Sequence, residues 1–93
     1  MKIEFDPAKS EKNARERGLP FELVDQFDWE SAVFSEDTRF PYPETRLIAL
    51  GFIAERLHLV CFTGIPGGIR VISFRKANER EVLKYEKEET SYR

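Results

Sequence analysis

The chain has 93 residues, 41% of them apolar, and a formal net charge of −2. That length holds one hydrophobic core and predicts a single domain over residues 1–93, while the lone Cys61 excludes an internal disulfide and suits a reducing compartment. No apolar run approaches the ~20 residues needed to cross a bilayer, and an N-terminus charged from Lys2 onward lacks a secretory pattern. The expected location is therefore cytoplasmic, with no membrane partner.

Ile3 and Phe5 alternate with Lys2 and Glu4, a short strand pattern. Asp6-Pro7 then predicts a helix start, with Asp as N-cap and Pro at the first helical position. Lys9, Asn13 and Arg17 share one face of this helix, and Gly18 supplies a left-handed stop. Its apolar residues are few, chiefly Ala8 and Ala14, so something other than greasy packing must dock it. Leu19-Pro20 opens a second short helix with a core stripe of Phe21, Val24 and Phe27.

Trp29 and Ser31–Phe34 read as a short strand, followed by a loop that Pro41 and Pro43 keep irregular. Residues 19–45 carry seven acids (Glu22, Asp25, Asp28, Glu30, Glu36, Asp37, Glu44) against Arg39 alone. This block is a solvated face, a docking surface for a basic partner, or a repellent of nucleic acid. Arg46–Ile53 and Leu57–Thr63 are strand patterns joined by a hairpin-length connection, and Pro66-Gly67-Gly68 turns the chain into a third strand, Ile69–Arg75. Asn78 and Glu81 form a capping box for a final helix carrying Val82, Leu83 and Tyr85. The polar tail Glu86–Arg93 is expected to fray. The order β-α-α-β-β-β-β-α defines an α+β domain: a twisted antiparallel sheet with two N-terminal helices and a C-terminal one.

The segment 69–81 is the most informative. Strand alternation puts Ser73 and Arg75 on one side, and Lys76 follows where the helix begins. Between residues 69 and 84, five basic residues (Arg70, Arg75, Lys76, Arg80, Lys84) face only Glu79 and Glu81. A cationic strand end on an acidic chain suits a phosphate-bearing ligand; a merely solvated strand end is the alternative.

Other chemistries lack their residues. One His, one Cys and no acidic pair beside them give no metal-ligand pattern, so neither a metal nor another cofactor is expected. His58 reads as a sheet residue, Ser73 has no base near it in sequence, and Pro66-Gly67-Gly68 lacks the Lys and helix of a phosphate loop. An enzyme here would work with Arg, Lys and Tyr. RNA cleavage suits that set, because the substrate's own 2′-hydroxyl is the nucleophile and guanidinium groups can cradle the developing phosphorane charge.

Phe5-Asp6-Pro7-Ala8-Lys9 with Asn13, Gly18, Phe21 and Glu22 resembles the N-terminal signature of the BrnT toxins. The run Arg70-Val71-Ile72-Ser73-Phe74-Arg75-Lys76-Ala77-Asn78-Glu79-Arg80-Glu81, with Tyr85 and Glu86, resembles that family's second signature. The resemblance implies a RelE-like fold and a ribonuclease toxin of a type II toxin–antitoxin pair that arrests translation by cutting RNA. It also implies a BrnA-like ribbon-helix-helix antitoxin as partner, a heterotetramer with it, and operator DNA bound only through that antitoxin. By position it marks Arg46, Arg75, Lys76 and Tyr85 as catalytic candidates, and Lys9, Arg70, Ser73 and Arg80 as RNA-binding ones, to which Arg17 is added as a cation able to hold phosphate. Two features depart from the family. Glu16-Arg17-Gly18 stands where Lys-His-Gly is usual, which replaces a proton shuttle with a fixed cation, and the chain is acidic where members are commonly basic. A non-catalytic homologue that binds the antitoxin is the alternative function.

Overall fold

The structure, a computed structural model, describes residues 1–91. Its elements are β1 (Lys2–Glu4), α1 (Pro7–Arg17), a 3-10 helix (Phe21–Gln26), β2 (Val33–Glu36), β3 (Leu47–Ile53), β4 (Arg56–Ile65), β5 (Gly68–Lys76) and α2 (Glu79–Ser91). The five strands form one sheet in the order β1-β5-β4-β3-β2. This is the expected α+β architecture, with three differences of physical interest.

The sheet is mixed, because β1 runs parallel to β5. Parallel neighbours need a crossover, and α1 together with the 3-10 helix covers the sheet face between the first strand and the meander. Gly68 lies opposite Lys2, and a Cβ there would overlap the Lys2 carbonyl oxygen, so the close approach of β1 requires glycine at this position. The second helix is 3-10 rather than α. Its apolar residues recur every three positions, which is the 3-10 period, and Phe21, Val24 and Phe27 are all buried on one side. Finally, β2 starts at Val33. Asp28 accepts hydrogen bonds from the Glu30 amide at 3.2 Å and the Ser31 hydroxyl at 2.7 Å, and this turn occupies the chain where a strand is predicted.

Other local signals act as expected. The Asp6 carboxylate accepts from the Ala8 amide at 2.9 Å, and Gly18 adopts φ 70° to close α1. Asn78 and Glu81 exchange their capping-box bonds at 2.9 Å in both directions. In the β4–β5 turn, Pro66 and Gly67 (φ 79°) link the paired residues Ile65 and Gly68 as a type II turn demands. The helix α2 continues through Ser91, past Glu86 where fraying is expected; Tyr92 and Arg93 lie outside the described residues.

Polar bonds dock the apolar-poor α1. The buried Ser10 hydroxyl donates to Glu22 and accepts from the Phe21 amide, both at 2.8 Å. The Asn13 amide donates to the carbonyls of Leu19 at 2.7 Å and Phe74 at 2.9 Å. Asn13 is thus a structural residue that ties α1 to β5.

The sheet has apolar packing on both faces. Phe21, Val24 and Phe27 pack with Val60, Phe62, Val71 and Phe74 on the α1 side. On the other side, Tyr85 of α2 packs with Leu50, Leu57, Leu59 and Ala77. A bulge lies between these two arrangements: Cys61 pairs with Ser73 but Phe62 pairs with Val71, leaving Ile72 extra. The extra residue lets Val71 and Phe74, three positions apart, enter the same core, and it turns Ser73 and Arg75 toward the α2 side.

Candidate functional site

The α2 side of the sheet is not fully covered. Beyond the Tyr85 cluster, a cavity of about 310 Å³ is lined by Arg17, Arg39, Ile48, Leu59, Cys61, Ser73, Arg75 and Glu81. Its floor is sheet: Ser73 and Arg75 of β5 lie opposite Cys61 and Leu59 of β4, and Ile48 of β3 lies opposite Cys61. Its rim is cationic. Arg17 comes from the last residue of α1, Arg39 from the β2–β3 loop, and Arg75 from the strand itself. Three guanidinium groups delivered by separate elements meet over one basin.

Carboxylates hold two of the three. Arg75 donates to both Glu81 oxygens at 2.8 Å, a bidentate geometry that fixes the guanidinium plane. Arg75 therefore holds the Glu81 carboxyl below its ordinary pKa despite partial burial, and Glu81 raises that of Arg75. The same Glu81 oxygen that meets Arg75 accepts from the Asn78 amide, so the start of α2 and the aim of Arg75 share one group. Arg39 donates through Nε and Nη2 to Asp37 at 2.9 Å each, and the Asp37 side chain is only 1% exposed. This pairing holds the Asp37 carboxyl at about 2. Arg17 forms no hydrogen bond or ion pair among the described residues.

No floor residue offers a protein nucleophile. Burial pushes the Cys61 thiol upward, and Asp37 adds to that shift, which leaves an inert thiol. His58, the one histidine, lies on the opposite face against Phe74 with ring centroids 5.5 Å apart, and its Nδ1 donates to the Arg56 carbonyl at 2.8 Å. Burial lowers its pKa, and Arg56 and Lys76 add to the effect. It is a neutral core histidine at pH 7.

The remaining candidates disperse. Lys76 is next to Arg75 in sequence but pairs with His58, so strand alternation carries it to the α1 side of the sheet. Tyr85 is a packing residue, 7% exposed, edge-on to Phe52 at 5.3 Å, and its hydroxyl donates to the Ser31 carbonyl at 3.0 Å. Arg70 bridges to Glu4 at 2.9 Å at the β1 edge. Arg80 is exposed in the first turn of α2 and forms no ion pair among the described residues. Lys9 lies beside the basin, in a groove of about 200 Å³ shared with Lys12, Asn13, Arg17 and Ser73.

Arg46 flanks the basin from the loop. It bridges to Glu44 at 2.9 Å and lies over the Tyr42 ring, 3.9 Å from its centroid. Arg39 and Glu81 are the basin residues that sequence reasoning passed over. Asp37-Thr38-Arg39 carried the available signal: an acid and the sole cation of an acidic block, two residues apart in a turn.

These features define a small α+β protein with an arginine-rimmed basin, the equipment for holding a phosphodiester or another delocalised anion. Residues 5–81 match the family model described as ribonuclease toxin, BrnT, of type II toxin–antitoxin systems, and the chain belongs to that family. Its ascribed activity is that of a ribonuclease toxin, and an antitoxin partner comes with the system. No curated protein matches the chain. No helix among the described residues is long and apolar enough to cross a membrane.

Proposed function

We propose that the chain is an endoribonuclease that cuts RNA without a metal cofactor, acts in the cytoplasm to arrest translation, and uses the arginine basin as its active site. The observation that carries this reading is the convergence of Arg17, Arg39 and Arg75 over one cavity. In the reaction, the 2′-oxygen attacks the adjacent phosphorus as its proton leaves. The bond to the 5′-oxygen breaks, giving a 2′,3′-cyclic phosphate and, once protonated, a 5′-hydroxyl. Charge builds on the non-bridging oxygens, where guanidinium donors stabilise it without giving up protons. Arg75, oriented by Glu81, is the principal donor, and Arg17 supplies a cation with no competing carboxylate. Ser73 on the floor donates a hydroxyl hydrogen bond. Glu81, held ionised by Arg75, is a positioning residue rather than a base.

The natural inhibitor on this reading is a BrnA-like ribbon-helix-helix antitoxin that assembles with the toxin as a heterotetramer and brings it to operator DNA. Purified protein incubated with RNA, in chelator and in divalent metal, tests the activity. Cleavage in both conditions, lost in folded Arg75→Ala, is the expected result; no cleavage in either refutes it. Growth arrest on expression, relieved by co-expressing the antitoxin, tests the cellular role, and the mass of the complex tests its stoichiometry.

One observation favours a second reading. Arg39, Arg46 and Arg75 are each already paired with a carboxylate, and Arg17 replaces the usual histidine. A non-catalytic homologue that binds antitoxin and tunes operator binding would show partner binding and repression with intact RNA.

A further inference from the structure

Three cavities adjoin one another through shared lining residues. The Lys9–Lys12 groove shares Arg17 and Ser73 with the basin. The basin in turn shares Arg39 with a larger hollow of about 470 Å³, formed by the loop 36–46 and lined in part by Phe40, Tyr42 and Arg46. The two flanks of the basin differ in chemistry. On the α1 side the groove presents two lysine ammonium groups and Arg17. On the loop side, Asp37 and Glu44 neutralise Arg39 and Arg46 and the exposed Glu36 adds a further carboxylate, so that hollow disfavours a second phosphate. It offers aromatic surface instead. Phe40 is 65% exposed, an unusual position for a phenylalanine. Its ring meets Tyr42 edge-on at 5.8 Å and 74°, and Arg46 covers the Tyr42 face. Phe40 is thereby braced with its ring open to solvent.

We propose that this hollow is a nucleobase subsite: Phe40 stacks a base one or more nucleotides from the linkage held in the basin, while the Lys9–Lys12 groove tracks phosphates on the other flank. The inference rests on the basin being the RNA site. A π-face accepts any base, so stacking supplies grip with weak sequence preference, and the neighbouring backbone and polar side chains can bias which base is held. The substrate is then a single strand reaching across at least two subsites, because bases stacked within a duplex have no free face to offer.

The test uses short 2′-O-methyl oligouridylates, which the proposed chemistry cannot cut, carrying one 2-aminopurine at successive positions. Stacking quenches this base. Quenching confined to one or two positions on one side of the linkage, lost in Phe40→Ala and kept in Phe40→Trp, is expected, with binding weakened on the order of tenfold. Cleavage by wild type with no position-specific quench, or with a quench that survives Phe40→Ala, overturns the subsite and leaves the nuclease assignment standing. Phe40-dependent quenching by a protein that cuts no RNA supports the subsite and removes the nuclease assignment. Absence of RNA binding overturns both.

Discussion

The Arg75–Glu81 pair admits a quantitative test. Two N–H···O contacts of 2.8 Å join side chains that are 35% and 18% exposed. Exposed ion pairs contribute ~0.2–1 kcal/mol, and hydrogen bonds to charged groups ~1.5–3 kcal/mol. Partial exposure places this pair between them, at about 1–2 kcal/mol. Glu81→Gln keeps an oxygen for the Asn78 amide while breaking the bidentate contact, and for a domain of this size the loss corresponds to a Tm fall of roughly 5–15 °C. Arg75→Ala is expected to cost a similar amount, and the double variant less than the sum, by the energy of the pair. Activity separates the roles. Removing a donor aimed at transition-state charge lowers kcat by ~10²–10³, so Arg75→Ala falls that far, whereas Glu81→Gln keeps the cation and falls less. Thermal melts and single-turnover cleavage on the four proteins of the cycle supply both readouts. Equal loss of activity in Glu81→Gln and Arg75→Ala would make the carboxylate a chemical participant and refute the positioning role. Full activity in folded Arg75→Ala would remove the guanidinium from the chemistry.

Further outcomes follow from the same geometry. Tyr85→Phe should lose about 1 kcal/mol of stability with its bond to Ser31 and retain RNA cleavage; a collapse of kcat in the folded variant would return Tyr85 to the site. The Asp37 carboxyl is depressed from 3.8 to about 2. The stability it confers is therefore complete above the unfolded value and is lost as pH falls from 3.8 toward 2. Acid unfolding of Asp37→Asn should lack that component of the slope, and identical acid titrations would refute the pairing. In the basin, Glu81 is shifted down, whereas Arg75 and Cys61 are shifted up. The cleavage rate should therefore climb about tenfold per pH unit through neutrality as hydroxide takes the proton. An inflection on the acid side of neutrality that disappears in His58→Gln would contradict the placement of His58 away from the chemistry.

Local signals wrote much of the fold plainly. Asp6-Pro7 and Gly18 bound α1, Pro66-Gly67 turns β4 into β5, and the Asn78–Glu81 box starts α2, each by chemistry confined to a few neighbouring residues. The parallel pairing of β1 was hidden because it depends on a contact between Lys2 and Gly68, far apart in the chain. The docking of α1 was hidden for a related reason: Ser10 and Asn13 replace an apolar stripe with hydrogen bonds to distant partners. Alternation puts Ser73 and Arg75 on the basin side of β5, and by the same rule it turns Lys76, which local charge and the family resemblance had grouped with them, to the other side. Arg39 was obscured by the acids around it, since counting charge over 19–45 conceals that the carboxylate it pairs with, Asp37, is buried.

The bulge at Ile72 sets how β5 should tolerate change. Ile69, Val71 and Phe74 are 7%, 2% and 0% exposed, a beat of two positions and then three. Replacing every residue from 69 to 75 in turn would show that stumble directly. Expression should fail at 69, 71 and 74, while replacements at 73 and 75 should still fold, that at 75 with the lower Tm given above, and on the proposed function should lose RNA cleavage. Neighbours along a single strand thus divide their labour, one set closing the core and the other facing the basin.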